Sequence, residues 1–343
     1  MKNYNFFKTD DNSTGLYNLR IGDIYHSKTG AYKESNEKFI SPSYEILKNK
    51  NNIKLLDICT GIGYNLKAFI NKFIDKELII DCIDIDDSLV KISPFIKDGI
   101  DNQSIKFFLF NEILKNNIRL DDLNMELKEC LNLENKHFFD EDMLNLIYFL
   151  SKSPYKTMQT PQKGTFLHNI YYNYISFSNS KDEISHLFLN KSIKYHFNDA
   201  RIILNNIHST YDVIFLDAFS PQKDPSLWTI DFLSLISNAM HNNSILISYS
   251  RSTPFRSALL ELNLNVGKTI LNNEDFGTIA SKNKNNIFYP LTNYDLKLIE
   301  TRSGITYKDI NLNLDSSTII NNRVIEQNNS NRISHTKFLK NIV

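Results

Sequence analysis

The chain predicts an α/β fold, an open and mostly parallel sheet wrapped by helices, and three observations carry that expectation. Apolar runs of strand length, at 53–58, 78–83, 193–197 and 213–216, alternate with segments of helix length. Two of these runs end on residues suited to chemistry. The run 213–216 passes into Asp217, Ala218, Phe219, Ser220 and Pro221, with Trp228 shortly after, and the run 53–56 passes into Asp57, Ile58, Cys59, Thr60, Gly61, Ile62 and Gly63. Ligands of open parallel sheets bind at the carboxyl ends of strands, so Asp217 and the glycine loop are expected at an active-site rim. Finally, 343 residues with 41% hydrophobic content can bury one large core or two modest ones.

Taken in order, the elements begin with a hairpin, 5–9 and 16–21 about an Asp-Asp-Asn-Ser-Thr-Gly turn, followed by a helix over 33–48 starting near Ser35. The first sheet strand is 53–58, and a helix follows over 64–74. A second strand, 78–83, ends on Asp84, and the next helix is capped by Asp86 or Asp87. The alternation breaks over 98–165, where two or three helices are expected and 144–150 is the most periodic piece. Strand signals return at 170–177 and at 193–197. The latter passes through Asn198, Asp199, Ala200 and Arg201 into a helix to 207. Strands at 213–216, 244–249, 266–270 and 278–281 and helices at 228–240 and 254–262 complete the sheet. The expected divisions are 1–50 (hairpin and helix), 51–290 (the sheet domain with its insert) and 291–343 (a tail).

Composition excludes several classes. The 39 basic residues balance 39 acidic ones, which argues against coating nucleic acid by bulk charge and leaves local faces to be considered. Acids crowd 98–142. The N-terminal segment leans basic through Lys28, Lys33, Lys38, Lys48, Lys50 and Lys54, and the tail through Arg302, Lys308, Arg323, Arg332, Lys337 and Lys340. A polyanion is therefore expected at the two ends and not on the insert. Taken one at a time, such residues are more often a solvated face. The opening segment has no apolar stretch, and no run approaches about 18 apolar residues, so neither a signal peptide nor a spanning helix is expected. The expectation is a cytoplasmic protein without membrane contact. Cys59, Cys82 and Cys130 fit neither a disulfide framework nor a zinc site, and the scattered histidines offer no metal constellation.

A nucleoside site is legible at three strand ends. The loop with Gly61 and Gly63 lacks the third glycine of a dinucleotide fingerprint, residue 66 being Leu66, so it lets a backbone approach an adenosine without calling for a pyrophosphate. Asp84 ends the next strand, where a carboxylate accepts ribose hydroxyl protons. Asp199 ends a third, in place to accept from an adenine amine. The plainer reading of each acid is a helix cap.

The segments 25–35 (YHSKTGAYKES), 57–65 (DICTGIGYN), 198–201 (NDAR), 215–228 (FLDAFSPQKDPSLW), 248–261, 277–281 (GTIAS) and 303–309 (SGITYKD) together resemble the stand-alone MnmC-like tRNA methyltransferases. The resemblance covers nearly everything except 98–165. It implies a Rossmann-like class I methyltransferase with a mostly parallel seven-stranded sheet, an N-terminal hairpin and a helical insert. It also implies an activity, methylation of the aminomethyl group of 5-aminomethyl-2-thiouridine at the tRNA wobble position by S-adenosylmethionine. Asp57, Gly61, Gly63, Asp84 and Asp199 would border the donor, and Asp217 would face the acceptor amine. Cys59 stands where the family usually has the first glycine of its loop, and Asn198 where glycine is usual before Asp-Ala. Neither a flavin half nor a metal is expected, and no obligatory protein partner is inferred.

The chemistry supports the same residues independently. Transfer from a sulfonium needs a neutral amine in line with the donor carbon. An alkylammonium of pKa roughly 10.4 costs on the order of 4 to 5 kcal/mol to deprotonate at neutral pH, which makes Asp217 the candidate proton acceptor. Phe219 and Trp228 are candidates for an apolar wall or a base-stacking surface, and Tyr25, Glu34 and Tyr249 for the same mouth. His26 is an alternative acceptor, although a lone histidine is more often structural. Two other functions are weighed. A spermidine synthase-like aminopropyltransferase shares the hairpin and an Asp-bearing loop but wants a Gly-Gly-Gly-Asp run that this loop lacks. A non-catalytic tRNA- or nucleotide-binding module predicts loss of the acids that are all present.

Overall fold

The computed structural model of the chain describes residues 4–100, 102–132, 134–152, 161, 164–181 and 184–340. Expectations for 153–160 of the insert, and for the outermost three residues at each end, fall outside the described residues. No helix among them is long and apolar enough to cross a membrane.

Three short strands open the chain, β1 (Tyr4–Lys8), β2 (Thr14–Asn18) and β3 (Asp23–Ile24), and form an antiparallel sheet of their own. The main sheet takes β4 (Asn52–Ile58), β5 (Glu77–Asp84), β6 (Lys191–Phe197), β7 (Tyr211–Leu216), β8 (Met240–Ser248), β9 (Asn265–Leu271) and β10 (Glu274–Ser281). Its order is β6-β5-β4-β7-β8-β10-β9. β5 with β6, β4 with β7 and β7 with β8 pair in parallel. β10 runs antiparallel to β8 and to β9. The expected strands are all present at these places except one. Every residue of β7 is buried, as its unbroken apolar run requires of a strand covered on both faces.

Two compact units make up the chain. The first comprises Met1–Asn36, Lys50–Asn52 and Thr60–Phe197. The insert supplies it with the helices Gln103–Lys115, Leu120–Cys130 and Glu141–Lys152, in agreement with the two or three expected. The exception lies here as well: 170–177, expected as a strand, is the middle of the helix Phe166–Ser178. Its aromatic and β-branched residues favour a strand locally. Ile170, Tyr171, Tyr174 and Phe177, however, recur at helical spacing and are all buried, and Tyr174 and Phe177 each pack within 6 Å of the Phe107 ring. Tertiary packing overrides propensity. The helix Tyr64–Lys72 carries a fully buried Lys67, whose ammonium donates to the Ser93 carbonyl at 2.8 Å and pairs with Asp98 at 3.1 Å. Burial pushes the Lys67 pKa down.

The second unit comprises Glu37–Asn49, Ile53–Cys59 and Asn198–Val343. Its core gathers β4, β7 and β8 with the helices Ile230–Asn238 and Thr253–Glu261, where Trp228 meets Phe255 edge-on with ring centroids 4.9 Å apart. The expected helix at 228–240 begins two residues late, because 226–228 form a separate 3-10 turn. The tail is helical, at Asn293–Ile299, Ser316–Asn329 and His335–Lys340.

Candidate active site

In the first unit, the carboxyl end of β5 and the glycine loop are joined by hydrogen bonds. Asp84 accepts from the Gly61 amide through Oδ2 at 2.7 Å and from the Asp86 amide through Oδ1 at 2.8 Å. Burial raises its pKa to about 6, against the Asp86 and Gly61 amides, which favour the ionised form. Gly61 (φ +56) and Gly63 (φ +77) both lie in the left-handed region, and Gly63 opens the helix Tyr64–Lys72. A Cβ at Gly63 would sit 3.0 Å from the Ser93 hydroxyl, which donates to the Ile62 carbonyl. One at Gly61 would sit 3.5 Å from the Tyr25 ring. Tyr25, Gly61 and Asp84 are thus brought together. This loop fits a nucleoside, with close backbone, a helix N-terminus and a carboxylate of suitable kind.

The hairpin braces this corner. Tyr4 donates its hydroxyl to Asp86 Oδ2, and Asp86 Oδ1 accepts from the Ser88 amide as the cap of helix Asp87–Ile92. Burial pushes the Tyr25 pKa up to about 12, so it stays a neutral phenol. Between the two acids Ile85 stands 78% exposed, an apolar surface beside the carboxylates that no strand or cap signal marks. Glu34 lies beside His26. Its carboxylate accepts from the Ser27 amide at 2.7 Å and lies 3.9 Å from His26 Nδ1, while His26 packs edge-on against Tyr64. His26 is itself buried.

In the second unit, β7 delivers Asp217 to its carboxyl end, where the Asp217 amide donates to the Ile58 carbonyl at 3.2 Å. Two aromatic donors hold the following peptides. Tyr249 donates to the Ala218 carbonyl at 2.8 Å, and Trp228 Nε1 donates to the Phe219 carbonyl at 2.7 Å. Trp228 and Tyr249 also meet at right angles, 6.2 Å between centroids. Trp228 and Asp57 are both at 0% exposure, so neither presents a surface to a ligand and any part they take in binding passes through their neighbours. For Trp228 this corrects the stacking role expected above: its size is spent on the core and its one polar atom on the loop. Phe219 keeps partial exposure.

Asp199 turns out to be a helix cap. Its Oδ1 accepts from the Arg201 amide at 2.9 Å, and the Arg201 guanidinium lies on the same carboxylate, Nη2 to Oδ2 2.7 Å. Arg201 continues to the buried Asp309 at 2.8 Å and to the Leu314 carbonyl at 2.9 Å. The motifs at 198–201 and 303–309 are therefore two halves of one ionic link, which spacing alone could not reveal. The tail also revises the basic face expected there. Arg323 donates to the carbonyls of Ile305 (2.6 Å) and Ser303 (2.9 Å) and stacks on Tyr307, and Lys308 pairs with Glu326 at 2.8 Å, so both are committed internally.

The chain is similar to several known proteins. Residues 161–277 match the family described as S-adenosyl-L-methionine-dependent methyltransferase. The chain is 29% identical over 320 residues to an uncharacterized protein of Methanocaldococcus jannaschii, covering 90% of this chain and 69% of that one. It is 22% identical over 254 residues to the tRNA 5-methylaminomethyl-2-thiouridine biosynthesis bifunctional protein MnmC of Campylobacter hominis, covering 74% of this chain and 29% of that protein. Among solved structures it is similar to MnmC2 from Aquifex aeolicus, with a TM-score of 0.61, 22% identity, and coverage of 95% of this chain and 85% of that one. The likeness to MnmC2 shows the fold, a Rossmann-like, mostly parallel sheet, and the family match adds that residues 161–277 are similar to S-adenosyl-L-methionine-dependent methyltransferases.

Proposed function

We propose that the protein is an N-methyltransferase acting on the aminomethyl group of 5-aminomethyl-(2-thio)uridine at the tRNA wobble position. Bound S-adenosylmethionine supplies a sulfonium methyl open to in-line displacement. Asp84 accepts the ribose hydroxyls, Gly61 and Gly63 allow the backbone close to the nucleoside, and Ile85 offers its exposed side chain to a flat base. Asp199, already shared with Arg201, keeps lone pairs for an adenine amine. Asp217 orients the acceptor amine and takes its proton, and Phe219 shields it from water. Tyr25 and Glu34 serve the mouth from the N-terminal side, and Tyr249 serves it through the Ala218 peptide.

The observation that carries the reading is the locked peptide pair after Asp217, a carboxylate at a strand end with its loop fixed by Trp228 and Tyr249. The match of 161–277 to the methyltransferase family, which spans that loop, and the name of the Campylobacter relative support the chemistry and the acceptor respectively. Mass analysis of wobble uridines in tRNA from a strain lacking the protein tests the proposal. Accumulation of the unmethylated aminomethyl nucleoside is expected, and an unchanged nucleoside profile would overturn it. Incubating the protein with decarboxylated S-adenosylmethionine and putrescine gives no spermidine on this reading.

A further inference from the structure

The edge of the main sheet in the second unit carries an exposed aromatic surface that the site described above does not use. Among the described residues five aromatic side chains are largely exposed, and three of them, Phe288 (59%), Tyr289 (52%) and Tyr294 (46%), lie within seven residues of one another. The segment bearing them is pinned. The Lys268 amide of the edge strand β9 donates to the Tyr289 carbonyl at 2.7 Å, and Gly267 forms a bridge with Pro290. A Cβ at Gly267 would fall 2.6 Å from the Tyr289 carbonyl oxygen, so only glycine permits the approach. Tyr294 packs on Phe338 with centroids 5.8 Å apart, which brings in the helix His335–Lys340. Tyr289 is therefore exposed on a backbone fixed against β9, with Phe288 beside it and Tyr294 on the following helix.

Charge selects the partner. Between 282 and 297 the one acid is Asp295, and its carboxylate is taken by Lys268 at 2.7 Å and by the Thr292 amide at 2.8 Å. From 330 to 340 there is no acid at all. Lys297, Lys337 and Lys340 are exposed and form no ion pair among the described residues. Exposed rings flanked by ammonium groups, with the one acid of 282–297 already paired, match the demands of unpaired bases on a phosphate backbone.

We propose that Phe288, Tyr289 and Tyr294, with Lys297, Lys337 and Lys340, form a platform for a single-stranded RNA segment. The inference deepens the tRNA reading above and rests on it. Filter binding of a short RNA hairpin with an unpaired loop, compared with the same strand annealed to its complement, tests it. The double variant Phe288→Ala/Tyr289→Ala should bind the hairpin about tenfold more weakly per ring lost, in line with base–aromatic stacking. Lys337→Ala/Lys340→Ala should flatten the salt dependence. S-adenosylhomocysteine binding by calorimetry should be unchanged in both, which shows that the variants are folded. Wild-type hairpin affinity in the ring variant overturns the platform alone, as does equal binding of duplex and hairpin by the parent protein. A parent that sediments as a dimer, with a ring variant that is monomeric, would reassign the surface to contact between copies of the chain. If the parent protein binds neither RNA, the tRNA reading falls together with the platform.

Discussion

The Tyr249 hydroxyl donates to the carbonyl of Ala218, the residue directly after Asp217, at 2.8 Å. With Trp228 on the next carbonyl, it removes the freedom of the peptides that aim the carboxylate. Tyr249→Phe keeps the ring and leaves the Ala218 carbonyl without this donor. We expect turnover to fall about tenfold, the equivalent of one lost hydrogen bond of roughly 1.4 kcal/mol, with the affinity for S-adenosylhomocysteine unaltered. Asp217→Asn, which removes the proton acceptor itself, should lower turnover far more at the same donor affinity. Single-turnover kinetics beside calorimetry separates the two quantities. Parallel loss of both in Tyr249→Phe would mean that the clamp serves general integrity and does not aim Asp217.

Asp84 makes donor binding pH-dependent. Burial holds its pKa at about 6 in the free protein, and ribose hydroxyls donate to the ionised form. Affinity for S-adenosylhomocysteine should be flat above about pH 6 and fall below it. Asp84→Asn should lose that dependence and weaken binding by about 1 to 3 kcal/mol. The same shift acts on folding with the opposite sign. Because the folded pKa lies above the unfolded value, the contribution of Asp84 to stability is present at pH below the ordinary aspartate value of 3.8 and lost as pH rises through about 6. Calorimetric titrations from pH 5 to 8 measure the binding effect. An affinity independent of pH in the parent protein would remove Asp84 from the donor site.

Arg201 ties Asp199 to the buried Asp309. Replacing it with alanine leaves Asp309 charged and sequestered, a change that costs about 3 kcal/mol or more. Urea unfolding should register that loss, and Arg201→Ala/Asp309→Asn should recover part of it. Additive losses in the double variant would show that the pair is not coupled.

Cys59 has φ +66, a backbone that favours glycine, at the place where the resembling family usually carries glycine. Cys59→Gly should therefore stabilise the protein by about 1 kcal/mol, read as a higher urea midpoint at constant slope. A lower midpoint would mean that the thiol packing outweighs the backbone strain.

The residues of the fold that could be read in the sequence were those whose local preference and tertiary setting agree. The apolar run of β7, the Gly61 turn and the Asp86 cap each ask locally for what the fold supplies. The helix Phe166–Ser178 was misread because its rings carry strand preference, and only the aromatic cluster around Phe107 makes the helix the better choice. In the candidate site, Asp84 and Asp217 were legible from their position at strand ends. The roles of Trp228 and Arg201 were not, since each depends on a partner that the sequence does not place: a carbonyl nine residues back for Trp228, and an acid 108 residues on for Arg201. Lys337 and Lys340 keep the availability expected of them, whereas Arg323 does not, because counting charge cannot tell a free guanidinium from one donating to two carbonyls.

The close seat of Tyr289 and Pro290 on Gly267 has a consequence for solubility. An outermost strand with open amides and carbonyls is a template on which other chains can add, and here the 287–291 strap occupies part of that row on β9. Gly267→Ala would push the strap off and bare the strand, so its first symptom should be self-association on gentle warming, seen as light scattering before any loss of helix signal. The backbone that displays the aromatic rings thus also shields the sheet from growing by accretion.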